Sequence, residues 1–155
     1  MLSTRRATPA DAELIAYQRR RMFVDSGQAD AESMNVMSAN FTGWVRPRLE
    51  NGTYVGWLIE DEETVIAGAG MWLIDFPPHW MDSNPVRAYL LNFYVAPSHR
   101  GQGLAQKMLT LAVDEAHARG IRVVSLHASK LGRPIYERNG FEPTNEMILR
   151  DTPGT

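Results

Sequence analysis

The sequence predicts a single α/β domain built on a mixed sheet. Two segments rich in β-branched and aromatic residues, 53–60 and 64–76, flank an acidic turn and predict an antiparallel hairpin. Between residues 88 and 128, an apolar segment, an amphipathic segment and a second apolar segment follow one another, which predicts a parallel β-α-β crossover. We therefore expect mostly antiparallel pairing with a parallel β-α-β core, flanked by about four helices.

The N-terminal residues predict a short strand followed by a helix. The strand is "STRRA", residues 3–7. Thr8 has the residue type of a helix N-cap, Pro9 suits the first helical position, and Asp11 lies three residues after the cap. We expect this helix to run to about Val24. The three arginines inside it, residues 19–21, are interpreted as a solvated face.

A second helical region precedes the hairpin, and a proline-rich loop follows it. Residues 30–50 carry apolar side chains at roughly helical spacing, and the helix is expected to stop near Pro47 or at Asn51-Gly52. The apolar residues concerned are Met34, Met37, Phe41 and Trp44. Residues 77–85, which include Trp80, are too rich in proline for regular structure.

The C-terminal half predicts the parallel unit and two further elements. Residues 86–97 read as a fourth strand buried on both faces, and a helix runs from Gly103 to about His117 before Gly120 ends it. The remaining segments are assigned as a buried strand at 121–128, a short helix at 132–140 and a last strand at 141–150.

Length and charge bound the class of protein. The chain has 155 residues, of which 44% are apolar and 22% charged, so we expect one domain at 1–150 and a short flexible tail at 151–155. Sixteen Lys and Arg against eighteen Asp and Glu give a formal charge of −2. This balance does not favour nucleic acid or an anionic membrane surface as a partner.

Composition and motifs also argue against several kinds of site. With no cysteine and four histidines scattered singly, we expect neither a disulfide framework nor a metal site. The N-terminus lacks the apolar core of a signal peptide, and no segment has about 18 consecutive apolar residues, so we expect a soluble, cytoplasmic protein.

The segment "HRGQGLAQ", residues 99–106, predicts an anion site where the third helix begins. The first backbone N–H groups of a helix lack intrahelical partners, and Gly101 and Gly103 leave room for a bulky anion and can adopt positive φ. A tight turn alone would also use two glycines. Leu104 to Gln106 do not match a Walker loop, and Gln106 stands where a dinucleotide fingerprint needs glycine.

The order of these elements resembles the GNAT superfamily of N-acetyltransferases. The family's acetyl-CoA loop has Arg or Gln, two residues, Gly, one residue, then Gly or Ala, and Arg100, Gly103 and Ala105 match it. Tyr136 stands four residues before the pair Gly140-Phe141, as in the family. The resemblance is strong over about residues 88 to 142, and the weaker order of elements before them extends it.

The resemblance implies acetyl-CoA as co-substrate and names its contacts. The pyrophosphate would lie on the backbone amides after Arg100, and the pantetheine arm would pair with the fourth strand as an extra strand does. Ser129 stands where the family often has an Asn that touches the pantetheine, and serine can still hydrogen-bond there. The cofactor residues so implied are Phe93, Tyr94, Val95, Arg100, Gly101, Gln102, Gly103, Leu104, Ala105, Gln106 and Ser129.

The resemblance also implies the chemistry, in which Tyr136 is the catalytic residue. An amine attacks the thioester, a backbone N–H near Tyr94 or Val95 stabilises the oxyanion, and the Tyr136 phenol protonates the CoA thiolate. Taken alone, Tyr136 could equally pack beside Phe141. The amine must lose a proton, but the family fixes no base, and none is assigned among Glu60, Asp75, His79, His127 and Glu146.

Two function classes stay open. The first is an N-acetyltransferase acting on a primary amine of a small molecule or a protein, and the second is a non-catalytic acyl-CoA-binding module of the same fold. In the family, the second helical region and the loop at 77–85 flank the acetyl group, although their apolar residues could be ordinary core. Homodimers are common in the family, and nothing in this sequence decides for or against one.

Overall fold

The computed structural model describes residues 1–151, so most of the tail expected at 151–155 lies outside the described residues. Short 3-10 turns at Pro9–Asp11 and Pro97–His99 lead into larger elements. In chain order these elements are β1 (Leu2–Arg6), α1 (Ala12–Asp25), α2 (Met34–Asn51), β2 (Tyr54–Asp61), β3 (Thr64–Asp75), β4 (Val86–Val95), α3 (Leu104–Ala118), β5 (Val124–Leu126) and α4 (Arg133–Arg138).

The five strands form one sheet in the order β1-β2-β3-β4-β5. The three pairs from β1 to β4 are antiparallel, and β4 pairs with β5 in parallel across the α3 crossover. The predicted mixed sheet and the four helices are confirmed. The hairpin of β2 and β3 turns at Glu62 and Glu63, which both have positive φ.

Helices cover the two faces of the sheet with separate apolar clusters. α1 and α2 pack on one face, where Ile15, Phe41 and Val45 surround Tyr54 of β2. α3 packs on the other face, where Leu109 and its neighbours meet alternate side chains of β2, β3 and β4. Alternation along a strand puts successive side chains on opposite faces, so both faces of the central strands are buried.

The C-terminal part departs from the prediction. β5 is three residues long, and residues 141–150, predicted as a strand, have no regular structure. Pro143 has no N–H to donate to a sheet, and strand-forming side chains need a partner edge to pack on. The apolar residues of this segment accordingly lie exposed, with Met147 93% and Leu149 97% accessible.

The start of α1 is fixed by the Asp11 carboxylate, which accepts hydrogen bonds from Arg5 and Thr8. Asp11 accepts two hydrogen bonds of 2.9 Å from the Arg5 guanidinium and one of 2.7 Å from the Thr8 backbone N–H. The pKa of Asp11 is held below its ordinary value of 3.8, mainly by the hydrogen bonds from Arg5. The predicted cap at Thr8 and the first strand are thus joined by one side chain.

Gly70 allows Tyr54 to lie flat against β3. A Cβ atom at Gly70 would stand 2.0 Å from the Tyr54 hydroxyl oxygen, a distance that no side chain could keep. Tyr54 is only 3% exposed, so its ring has no room to withdraw. The hydroxyl held in this way reaches β4, where it accepts a 3.0 Å hydrogen bond from the Asn92 amide.

In the described residues, no helix combines the length and the apolar character that crossing a bilayer requires.

Asp11→Asn should lower the free energy of unfolding at neutral pH by about 1–3 kcal/mol, the usual cost of losing charged hydrogen bonds. Because folding lowers the pKa of Asp11, its contribution is present above 3.8 and is lost as the pH falls through the folded value. Urea unfolding at several pH values should therefore show the two proteins converging in acid. Asp114→Asn removes the same charge at an exposed position and is the control; a gap independent of pH would contradict the assignment.

Gly70→Ala should destabilise the protein by about 1–3 kcal/mol, because the added methyl group overlaps the buried Tyr54 ring. Gly43→Ala is the matched control, since Gly43 lies in α2 with nothing within 4 Å of its added Cβ. That change should stabilise by about 0.5–1 kcal/mol. Urea denaturation of both variants checks the pair, and equal effects would show that Tyr54 does not depend on Gly70.

Candidate active site

The sheet opens between β4 and β5. Their parallel pairing joins Ala88, Tyr89 and Leu90 to residues 124–126. Beyond Leu90, in the described part of the chain, residues 91–95 have a strand neighbour on the β3 side alone. The other edge of β4 therefore presents backbone N–H and C=O groups to whatever lies in the opening.

A β-bulge lies at the point where β4 leaves β5. Asn92 has φ +61°. Gly68 pairs with Tyr94 and Gly70 pairs with Leu91, so β4 has one more residue than β3 between these two pairs. Asparagine tolerates this left-handed conformation better than most residues. A bulge interrupts the ladder and bends the strand, and it lies beside functional sites more often than elsewhere.

The opening holds a cavity of about 230 Å³. α1 contributes Arg19 and Phe23 to its wall, and β4 contributes residues 89–93 and Val95. Five of the predicted site residues line it: Phe93, Val95, Ala105, Ser129 and Tyr136. The cavity thus runs from the β4 edge to α4, with α1 closing one side.

The two-glycine turn adopts the backbone that the sequence predicts. Gly101 has φ +79° and Gly103 has φ +77°, and α3 begins directly after them at Leu104. Leu104 is buried against Met108, so the first turn of α3 is anchored in the core. The first N–H groups of α3 and its dipole meet at this turn, beside the cavity residues Val95 and Ala105.

The side chains of Arg100 and Gln106 form hydrogen bonds with other residues of the protein. The Arg100 guanidinium donates to the Val95 carbonyl at 2.9 Å and to an Asp25 carboxylate oxygen at 2.8 Å. The Gln106 side chain exchanges hydrogen bonds of 2.9 and 2.8 Å with Asn139, which follows α4. These contacts hold the turn against β4 and α4. Gln102 and Gly101 are exposed, and Tyr94 is buried on the opposite side of β4 from Phe93.

Tyr136 lies between two aromatic rings at the α4 end of the cavity. Its ring meets Phe93 edge to face at 6.3 Å and Phe141 at 5.8 Å between centroids. Burial raises the pKa of the Tyr136 hydroxyl above its ordinary value of 10.0. The side chain is therefore a neutral phenol, able to donate a proton, and it is packed by the same Phe141 that the sequence placed beside it.

Ser129 closes the turn that precedes α4. Its hydroxyl oxygen accepts a 3.1 Å hydrogen bond from the Gly132 N–H, and its backbone carbonyl accepts one of 2.9 Å from Arg133. The hydroxyl hydrogen is left to donate into the cavity that Ser129 lines.

The five residues left open as bases lie in different places. His127 lines the cavity, where its Nδ1 is hydrogen-bonded to the Tyr89 hydroxyl, and Glu146 approaches its Nε2 at 3.9 Å. Glu60 instead pairs with Arg5 at 2.6 Å. His79 lies in the loop before β4 and Asp75 at the end of β3, and neither lines the cavity.

Neither of the two expected pocket walls, α2 and the loop at 77–85, lines this cavity. Trp80 is 88% exposed, stacks on His79 and belongs to a surface depression with Gly120 rather than to the cavity. Phe41 and Trp44 of α2 pack in the core cluster over Tyr54. The loop at 77–85 is therefore not a wall of this cavity, because it meets β4 at the end opposite the bulge.

Arg19 and Asn92, which meet in the cavity wall, are not among the predicted site residues. Arg19 was interpreted as part of a solvated face, but its side chain lies in the cavity wall and donates a 2.8 Å hydrogen bond to the side-chain oxygen Oδ1 of Asn92. Only Arg20 and Arg21 of the three arginines match that interpretation, with Arg21 paired to Asp25. Asn92 carried the one available signal, a polar residue within an otherwise apolar strand.

Among the described residues, no three His, Asp or Glu side chains come together as they would around a metal ion.

Curated relatives resemble the chain over most of their length. It is 29% identical over 113 residues to the uncharacterized N-acetyltransferase YycN of Bacillus subtilis (strain 168), covering 71% of this chain and 69% of the relative. It is 27% identical over 141 residues to the uncharacterized N-acetyltransferase YjgM of Escherichia coli (strain K12), covering 89% and 80%.

Solved structures with the same fold include two of higher identity. A GCN5-related N-acetyltransferase from Ralstonia eutropha JMP134 is 38% identical with a TM-score of 0.92, covering 97% of this chain and 99% of the other. A predicted acetyltransferase from Clostridium acetobutylicum, solved with acetyl-CoA, is 34% identical with a TM-score of 0.87, covering 97% and 96%. The model of the acetyltransferase (GNAT) family matches residues 16–141. With the open β4 edge and the two-glycine turn before α3, this match shows that the chain belongs to the GNAT acetyltransferase family.

Proposed function

We propose that this protein is an acetyl-CoA-dependent N-acetyltransferase that transfers the acetyl group to a primary amine of a small molecule or a protein. The observation that carries the proposal is the open edge of β4, which runs from the two-glycine turn to the Tyr136 side chain. An extended cofactor arm can pair with that edge and bring its thioester to Tyr136.

The cofactor's pyrophosphate would bind the backbone amides of residues 101–106. The positive φ angles of Gly101 and Gly103 place the backbone N–H groups of this turn at the N-terminus of α3. The helix dipole favours negative charge at that end. The acetyl-CoA in the Clostridium acetobutylicum relative, which is 34% identical, supports the same cofactor here. Arg100 would support this turn through Val95 and Asp25, as well as lying near the phosphates.

The pantetheine arm would lie along residues 93–95. Its amide groups can exchange hydrogen bonds with the backbone of β4, because no strand of the described residues occupies that edge. The Ser129 hydroxyl faces the same cavity and can donate to the arm. This arrangement uses backbone more than side chains, so Phe93 and Val95 act through their position in the strand.

The reaction then needs one nucleophile and one proton donor. The amine nitrogen's lone pair attacks the thioester carbonyl carbon, and the resulting oxyanion accepts a hydrogen bond from a backbone N–H of β4 near Tyr94 or Val95. As the intermediate collapses, the carbonyl re-forms, the carbon–sulfur bond breaks with its electron pair on sulfur, and the nitrogen releases its extra proton to solvent. Tyr136 gives its proton to that thiolate and regains one from solvent.

A side chain in the cavity wall could accept the proton that the amine must lose. An ammonium of pKa about 10.4 must lose a proton before it can attack. His127 lies in the cavity wall between Tyr89 and Glu146 and is the candidate base that the geometry favours. Its imidazole would take the proton and pass it to solvent, since the side chain is 67% exposed.

Acetyl-CoA and CoA should both raise the melting temperature, whereas NADH should not. A ligand at about 100 times its dissociation constant stabilises the folded state by about 2.7 kcal/mol. Thermal-shift titration with the three compounds measures this directly. The absence of a shift with acetyl-CoA and with CoA would overturn the cofactor assignment for residues 101–106.

Tyr136→Phe should lower kcat by about 100-fold or more, because the thiolate loses its proton donor, while the acetyl-CoA concentration for half-saturation stays unchanged. The reaction is followed by thiol release over a panel of primary amines. Tyr17→Phe is the matched control, since Tyr17 is 55% exposed on α1. A wild-type protein that binds acetyl-CoA but turns over no amine would instead favour a non-catalytic acyl-CoA-binding module.

A further inference from the structure

The α1 wall of the cavity carries a guanidinium without a carboxylate partner. Arg19 donates to the neutral side-chain oxygen Oδ1 of Asn92 at 2.8 Å, and no carboxylate of residues 1–151 lies within 4.0 Å of the guanidinium. Its Nε atom is buried and has no hydrogen-bond partner in the same range. Other arginines of the protein, such as Arg5 and Arg21, are paired with carboxylates at 2.9 Å.

Aromatic rings enclose the Arg19 charge. The guanidinium carbon lies 4.8 Å from the centroid of the Phe23 ring and 5.0 Å from that of Phe41. These cation–π contacts offset part of the desolvation cost. Burial lowers the pKa of Arg19 from its ordinary value of 12.5, but a guanidinium stays charged at neutral pH. A charge held in this way favours any anionic group that enters the cavity.

The other ionisable groups around the cavity do not neutralise Arg19. No Asp or Glu of the described residues lines the cavity, and His127 adds the only other basic side chain to that lining. Glu146 approaches His127 from outside at 3.9 Å, and Asp25 on α1 is already paired with Arg21 and Arg100. A polycationic acceptor would therefore meet a positive wall with no acidic partner.

We propose that Arg19 binds an anionic group on the acceptor, so that the substrates are small amines that also carry a carboxylate or a phosphate. The inference rests on the proposed function, because it assigns the α1 side of the same cavity to the acceptor. Arginine pairs with carboxylates and phosphates through parallel N–H donors, which fixes the orientation of the bound group. Asn92 positions Arg19 without neutralising it.

The test compares amines in matched pairs. Amino acids are measured beside their carboxamides, O-phosphoethanolamine beside ethanolamine, and spermidine serves as the polycation. The anionic member of a pair should be favoured by about ten- to hundredfold in kcat/KM, the range that a charged hydrogen-bonded contact provides. Preference within the amino acid pairs identifies a carboxylate as the bound group, and preference for O-phosphoethanolamine identifies a phosphate.

Arg19→Gln should remove that preference, because KM should rise more for the anionic amines than for their neutral partners. Arg19→Lys should restore part of it, because the charge returns without the planar pair of donors. Arg20→Gln removes a charge from the next position of α1, where Arg20 bonds Asn35, and should behave as wild type. Retained stabilisation of Arg19→Gln by acetyl-CoA shows that the fold and the cofactor side are intact.

A binding measurement separates this inference from the proposed function. Calorimetric titration of the CoA-saturated protein with the same amines reports acceptor binding even if Tyr136 chemistry fails. Tighter binding of anionic amines that is lost in Arg19→Gln supports the inference whether or not turnover occurs. Equal binding within every pair, a preference for spermidine, or an unchanged preference in Arg19→Gln would overturn it.

Discussion

The buried amide of Asn92 is the contact on which the rest of the site depends. It donates to the Tyr54 hydroxyl at 3.0 Å and accepts from Arg19 at 2.8 Å, joining β4 to β2 and to α1. Its positive φ forms the bulge, which changes the alternation along β4. Ala88 and Leu90 face α3 before the bulge, and Phe93 and Val95 face α3 after it. Removing this amide would leave two buried polar groups unpaired. The opening of the sheet therefore follows from one residue's backbone and side chain together.

Positive electrostatic potential arises at both ends of the proposed site from different sources. At the cofactor end it comes from backbone N–H groups and the α3 dipole, which need only the two glycines and a well-anchored Leu104. At the proposed acceptor end it comes from one side chain, Arg19, enclosed by aromatic rings. The first source depends on backbone conformation, and the second depends on the identity of a single residue.

The parts predicted from the sequence are those that local pattern decides. Thr8 with Asp11 marks the start of the first helical segment, and the two glycines before Leu104 adopt the positive φ angles that the sequence predicted. Tertiary contacts decided the rest. Residues 141–150 have the composition of a strand but pair with no strand of the described residues, and Arg19 looks like the two arginines after it in the sequence although the fold brings Asn92 beside it. Trp80 is exposed because its loop meets the sheet at the end of β4 that lies away from the bulge.

The separation of the two ends has an evolutionary consequence. The turn at residues 101–106 belongs to the β4–α3 connection, whereas Arg19 and Phe23 belong to α1, which is tied to that turn through Asp25 and Arg100. Substitutions at positions 19 and 23 can thus alter the proposed acceptor range without disturbing the backbone that would hold the cofactor. A lineage that replaced Asn92 by aspartate would neutralise Arg19 through a single nucleotide change in an asparagine codon. Relatives can therefore change their acceptor while they keep the same cofactor, because different elements of the fold would bind the two.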